Sequence, residues 1–295
     1  MTLRIKVLGA AAGGGLPQWN CGCPNCAAAR SGRLPSLTQS SIAVSADGAS
    51  WAIVNASPDI RAQMQATPEL HPTGLRTSPL KAVLLTNGDI DHVAGLFTLR
   101  ERQPFDLFAT AEIHATLAEN PMFRAVAPDV VPRRAAGLNV PFELVPGLTA
   151  ELFAVPGKVP LYAEGAVVDT QLEGENTVGV RLTAHGRTAF YIPGCAAMTP
   201  ALADRIRGAQ MVLFDGTVWL DDEMIATGAG AKTGARMGHM AMTDTIAAFA
   251  PLGVARRVFV HMNNTNPALD PSGPEHAAAL AAGWTIAQDG MELSP

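Results

Sequence analysis

Leu84-Leu85-Thr86-Asn87-Gly88-Asp89-Ile90-Asp91-His92-Val93-Ala94-Gly95-Leu96 is the stretch on which the reading of this chain turns. It continues an apolar run, 81–85, of the length and composition of a buried strand. Asn87-Gly88 then breaks the run with a strong turn signal. After Asp91-His92 the spacing of Val93, Leu96, Phe97 and Leu99 suits a helix, expected to run to about Arg102 before Gln103-Pro104 stops it. A carboxylate and an imidazole therefore stand side by side at the C-terminal end of a strand, where open α/β sheets place their ligands.

Outward from this stretch the chain repeats the same grammar. Strands are expected at 3–8, 38–46 and 50–56, the last two joined by the turn Ala46-Asp47-Gly48-Ala49. A short helix follows Ser57-Pro58-Asp59, and strand then helix recur at 106–109 and 111–119. Residues 121–141 are rich in proline and read as an irregular excursion over the site. Further strands are expected at 142–145, 151–155, 176–182, 187–192, 210–214 and 256–260, with helices at 200–207, 243–249 and 272–281. Small edge strands close the chain at 284–286 and 291–293. Each half carries paired strands followed by strand–helix units, the pattern of a four-layer αββα sandwich. The expectation is one α/β domain over 1–295.

Composition narrows the function. Of 295 residues 48% are hydrophobic and 16% charged, which is the balance of a globular protein with a substantial core. A net charge of −5, with no local basic patch, gives no footprint for nucleic acid. No segment approaches the roughly 20 apolar residues of a membrane span, and the apolar start of the chain is interrupted by Lys6. A cytoplasmic protein is expected.

Three of the four cysteines fall in Gln18-Trp19-Asn20-Cys21-Gly22-Cys23-Pro24-Asn25-Cys26. The Cys-x-Cys-x-x-Cys spacing, in a loop at 20–26, lets three thiolates converge on one tetrahedral ion, with zinc the default and a fourth ligand due from elsewhere. Unliganded thiols are the alternative. Two glycine-rich runs, 9–15 and 227–238, invite a nucleotide reading. The first lacks a Gly-Lys-Ser/Thr ending, and Ala231 stands where a Walker motif before Lys232-Thr233 needs glycine, so both are set aside.

Residues 86–92 resemble the metallo-β-lactamase superfamily motif Thr-His-x-His-x-Asp-His. The resemblance implies that Asn87 and Asp89 replace the two histidines of one metal site, while Asp91 and His92 of the other site remain. By the same resemblance Lys158, in Val155-Pro156-Gly157-Lys158, stands at a further histidine position. Cys195, in Pro193-Gly194-Cys195, stands at the bridging aspartate, as a soft ligand, a supporting group or a small apolar filler. His261, directly after the strand at 256–260, matches the superfamily's final ligand, and His239 lies where related hydrolases carry Gly-His-Ser. The surviving set is Asp91, His92 and His261. Two histidines and a carboxylate suit non-haem iron(II) and also suit zinc, so the donors alone leave oxygenase and hydrolase open. Loss of the other set argues against two-metal hydrolysis.

The whole chain resembles the PqqB family of pyrroloquinoline quinone (PQQ) biosynthesis. Carrying the resemblance are Val7-Leu8-Gly9-x-Ala11-Ala12-Gly13-Gly14-Gly15-x-Pro17 through Cys26, Asn55-Ala56-Ser57-Pro58-Asp59 and Asp89-Ile90-Asp91-His92-x-x-Gly95-Leu96-x-x-Leu99-Arg100. Met237-Gly238-His239-Met240 and His261-Met262-Asn263-Asn264-Thr265-Asn266-Pro267 complete it. It implies a metallo-β-lactamase fold and iron-dependent, dioxygen-using hydroxylation of the tyrosine ring of a glutamate–tyrosine-derived precursor. A non-catalytic carrier or transport role for the quinone or its precursor, and a single-metal hydrolase, stand as alternatives. The residue roles implied are Asp91, His92 and His261 for Fe(II), with His239 as a further ligand or an acid/base group and Lys158 as a second candidate catalytic group. Asn87, Asp89 and Lys158 would contact substrate. Cys21, Cys23 and Cys26 would hold a structural zinc; related phosphodiesterases complete it with a histidine at the position of Asn264, and here Asn264, a water or another group is left to do so. The partners expected are the small or short-peptide-derived precursor and dioxygen, with other proteins of the pathway and a second copy of the chain also open to it.

Overall fold

The computed structural model describes residues 2–295. The first six strands are β1 (Arg4–Gly9), β2 (Ser41–Ser45), β3 (Trp51–Val54), β4 (Leu80–Leu84), β5 (Asp106–Ala109) and β6 (Arg133–Ala135). The next seven are β7 (Phe142–Val145), β8 (Leu148–Ala154), β9 (Val178–Ala184), β10 (Arg187–Ile192), β11 (Met211–Asp215), β12 (Arg256–Val260) and β13 (Trp284–Ile286). The last, β14 (Glu292–Leu293), returns to lie against β1. Two seven-stranded sheets result, ordered β14-β1-β2-β3-β4-β5-β6 and β13-β12-β11-β10-β9-β8-β7. In each, a run of antiparallel pairs gives way to parallel ones: at β3–β4 in the first sheet and at β10–β11 in the second. β4 in one sheet therefore corresponds to β11 in the other, and both carry their loops toward the same end.

Alternation along the strands assigns each side chain to a layer. Ala52, Val54, Ala82 and Leu84 point into the core between the sheets, while Trp51, Ile53, Val83 and Leu85 point to the helices outside. That outer face is covered by Ile60 of helix Ile60–Gln65, by Val93 and Leu96 after the motif turn, and by Ile113 and Leu117 of helix Ala111–Glu119. Helices Pro200–Ile206, Met242–Phe249 and Pro274–Ala281 cover the second sheet. Thr110 and Thr199 start two of these helices by accepting from Ile113 N and Leu202 N. The arrangement is the expected αββα sandwich.

Two expectations are corrected. The helix after His92 does not reach Arg102: it runs only Ile90–Val93 and tightens into a 3-10 turn at Ala94–Phe97. The cause is Gly95, whose N–H bonds Ala56 O and whose absent Cβ would lie 2.2 Å from Ser57 O, so the backbone is drawn against the neighbouring loop. Residues 121–141 do not cover the site either, for they hold a 3-10 turn, Pro121–Ala125, and edge strand β6. The loop beside the site is the one after β8. There Leu161 lines the cavity and Tyr162 donates its hydroxyl to Gly88 O at 2.7 Å.

Candidate metal centre

The motif turn is held in place from β3. Asn55, with a left-handed φ of 66°, accepts Thr86 N–H at 2.9 Å and donates to Thr86 Oγ1 at 2.9 Å. Asn87 follows, and its Oδ1 accepts Asp89 N–H at 3.0 Å. Because that atom accepts, it also takes its second hydrogen from His92 Nδ1, 2.8 Å away. His92 is therefore fixed with a bare lone pair on Nε2, which is buried and has no hydrogen-bond partner. Asp91 Oδ2 lies 3.8 Å from His92 Nε2 and 3.2 Å from His261 Nε2.

The second sheet supplies the rest through two loops and two side chains missed in the sequence, Asp215 and Thr217. Asp215 ends β11, fully buried, with Oδ1 accepting Thr217 N–H at 3.0 Å and Thr217 Oγ1–H at 2.6 Å. Its Oδ2 accepts from His239 Nδ1 at 2.7 Å and from Cys195 N–H at 3.0 Å. With the Thr217 hydrogen directed at Asp215, the hydroxyl oxygen accepts from His261 Nδ1 at 2.8 Å. His239 and His261 are thus held as the same tautomer as His92, each Nδ1 donating outward and each Nε2 left for a ligand. The rings of His239 and His261 stack with centroids 5.2 Å apart. His261 adopts a φ of 59°, a left-handed backbone that costs strain in a non-glycine residue.

The electrostatics follow from burial and proximity. Burial pulls His92 down to about 4, so the imidazole is neutral and a competent donor. Burial works to raise the Asp91 carboxyl, but His92 and His261 outweigh it and hold Asp91 well below the usual carboxylate range. Burial lowers His261 as well, but the contact with Asp91 and the negative charges of Asp91, Asp215 and Asp89 together outweigh it, so His261 is raised. Asp89 is raised, first by burial and then by Asp91.

These donors fit a metal ion. The ligand atoms of Asp91, His92 and His261 lie within 4.8 Å of one another, and the orphaned Nε2 of His92 is a buried lone pair that only a cation or a donor could satisfy. They border a cavity of about 300 Å³ that also touches Asn87, Asp89, Lys158, Lys232 and His239. Asp215, His239 and His261 form a second group with ligand atoms within 4.8 Å of one another, and Cys21, Cys23 and Cys26 form a third. The Asn264 side-chain amide faces all three sulfurs, 3.1 Å from Cys21, 3.6 Å from Cys23 and 3.4 Å from Cys26. A half turn of that amide presents Oδ1 to the cluster.

Three of the candidate residues are constrained by this geometry. Asn87 spends its Oδ1 on His92, which leaves only its NH2 for a ligand. Lys158 is already paired, with Glu164 Oε1 at 3.0 Å. Cys195 is fully buried, with its Sγ directed at Ala197 O, 3.2 Å away. It packs the core beneath the site, and its peptide N–H steadies Asp215. Asp215 and Thr217 were legible only as a strand end, since nothing in Phe214-Asp215-Gly216-Thr217 says that its side chains meet two histidines distant in sequence.

A family model described as the β-lactamase superfamily domain matches residues 50–262. Coenzyme PQQ synthesis protein B of Ruegeria pomeroyi is 57% identical over 293 residues, covering 99% of this chain and 99% of the relative. The protein of the same name from Methylorubrum extorquens is 55% identical over 297 residues, with 99% of each chain covered. Among solved structures, Zn(2+)-bound PqqB from Methylobacterium extorquens matches with a TM-score of 0.97 at 55% identity, over 99% of this chain and 100% of that one. A diphosphatase of the PhnP family, 20% identical with a TM-score of 0.72 over 99% of this chain and 97% of that one, shares the fold. Among the described residues no helix is long and apolar enough to cross a membrane.

Proposed function

The chain belongs to the family of coenzyme PQQ synthesis protein B, on a β-lactamase superfamily fold, and from that premise we propose that it hydroxylates the tyrosine ring of a glutamate–tyrosine-derived PQQ precursor with iron and dioxygen. The observation that carries this reading is the one set of two imidazoles and a carboxylate in which a buried imidazole nitrogen has no hydrogen-bond partner; the neighbouring group Asp215, His239 and His261 shares His261 and has its Asp215 oxygens taken up by Thr217, Cys195 and His239. Asp91, His92 and His261 converge, while the positions a second ion would need hold Asn87, Asp89, Lys158 and Cys195. One ion with two imidazoles, one carboxylate and open positions suits oxygen chemistry better than two-metal hydrolysis. Fe(II) bound there would supply dioxygen activation and oxygen transfer to an aromatic ring.

The chain's own residues would do the rest. His239, oriented by the buried Asp215 carboxylate behind its Nδ1, accepts the phenolic proton at Nε2, and Asp215 stabilises the imidazolium that forms. Asp89, in the cavity wall, faces the substrate amine, and the Asn87 NH2 donates to a carboxylate or carbonyl. Leu161 and Met237 narrow the cavity around these polar groups and limit the water that reaches them.

The test is the metal content of anaerobically purified wild type, His92→Ala and Cys23→Ala. Iron in the wild type that disappears only with His92, and zinc that disappears only with Cys23, is the expected result, with a lower melting temperature for Cys23→Ala. Oxygen uptake with precursor then follows. If zinc alone is found and iron never binds at His92, the hydroxylase reading fails and a carrier role replaces it.

A further inference from the structure

Two lysines border the metal cavity, and the structure treats them differently. Lys158 Nζ donates to Glu164 Oε1 at 3.0 Å and to Val159 O at 3.3 Å. The other Glu164 oxygen takes Arg236 Nη2 at 3.0 Å. Arg236 and then Lys158 hold the Glu164 carboxyl down to about 2, so this carboxylate stays ionised and the Lys158 charge stays answered. Lys232 has no such partner. It is half-buried, and among the described residues its ammonium meets neither a carboxylate nor a hydrogen-bond acceptor. Its backbone is nonetheless well placed. Thr233 caps the turn Gly234–Met237 through Arg236 N–H at 3.1 Å, and Asp221 accepts Gly234 N–H and Ala235 N–H. The glycine-rich run before it, 227–231, delivers this one cation to the cavity from an anchored turn.

We propose that Lys232, not Lys158, is the specificity-determining residue that receives a carboxylate of the ligand in the metal cavity. An uncompensated ammonium at the edge of a small cavity favours an anion there. A lysine already neutralised by a glutamate adds little further attraction. Lys158 and Glu164 then form a fixed wall beside that seat. This rests on the reading of the substrate as a carboxylate-bearing PQQ precursor.

The test is binding of PQQ, a tricarboxylate, and of its trimethyl ester, by calorimetry on the metal-loaded protein. Wild type is expected to prefer the acid. Lys232→Met should weaken PQQ binding about tenfold and leave the ester unchanged, while Lys232→Arg keeps most of the acid affinity. Lys158→Met should retain the acid-over-ester preference. The proposal is overturned if Lys232→Met leaves PQQ affinity unchanged, if Lys158→Met alone abolishes the preference, or if wild type shows none. Oxygen uptake is scored separately on the same preparations: its absence with the preference intact sinks the hydroxylase reading and leaves the carboxylate seat of Lys232 standing.

Discussion

At the scale of single residues the site is organised by groups that touch no ligand. Asn87 turns His92, and Thr217 and Asp215 turn His261 and His239, so that three imidazoles present the same nitrogen inward. Thr217 is the hinge of this set, taking one hydrogen and giving another. Thr217→Val keeps its shape and removes both bonds. It is expected to weaken metal binding at His261 by about ten- to a hundredfold, read by competitive titration against a chelator, and to cost about 1–3 kcal/mol of stability because Asp215 and His261 lose a buried partner. Unchanged affinity would show that the relay does not govern the histidines. Asp91, His92 and His261 were legible because their positions at strand ends carry chemical identity. Thr217 and Asp215 were not, because a threonine and an aspartate after an apolar strand are ordinary until a partner meets them.

Among the elements, the boundaries most faithful to sequence are those with both an apolar run and a stop signal. Strands β5, β10 and β12 and helix Ala111–Glu119 fall where alternation, turns and caps place them. The turn after His92 departs, and local periodicity could not have foretold it. Val93, Leu96 and Phe97 are spaced for a helix, but Gly95 sits where Ala56 and Ser57 press in from the β3 loop. A tertiary contact overrides propensity here. Gly95→Ala would force a Cβ into backbone 2.2 Å away, so neither side can yield cheaply. The expected cost is at least about 3 kcal/mol, seen as a lower urea midpoint with an unchanged slope, and metal affinity should fall as the motif turn shifts. A stability within about 0.5 kcal/mol of wild type would mean that the β3 loop gives way freely.

Across the whole molecule the two ends of the chain close one sheet, and the closure reaches the site. β14 pairs with β1, and just before it Asp289 accepts Ala10 N–H at 2.9 Å, Thr38 N–H at 2.7 Å and Thr38 Oγ1–H at 2.7 Å. The segment so pinned continues to Ala12 and Gly13, which line the metal cavity; a Cβ on Gly13 would lie 3.4 Å from Asp91 Oδ2. Asp289→Ala should therefore cost about 2–4 kcal/mol in unfolding experiments and also weaken metal binding, although residue 289 lies outside the cavity. A loss of stability with metal affinity intact would confine Asp289 to closing the sheet. By itself the sequence determined the layers of the sandwich, the strands that lead to Asp91, His92 and His261, and the grouping of Cys21, Cys23 and Cys26. Those follow from periodicity and short spacing, which are local. The tertiary structure alone decided which loop covers the site, which lysine is left unpaired, how Asn264 meets the thiols and which nitrogen each histidine turns inward. Each of these depends on contacts among the loops that follow β1, β4, β8, β11 and β12, which the chain brings together only when both sheets have formed.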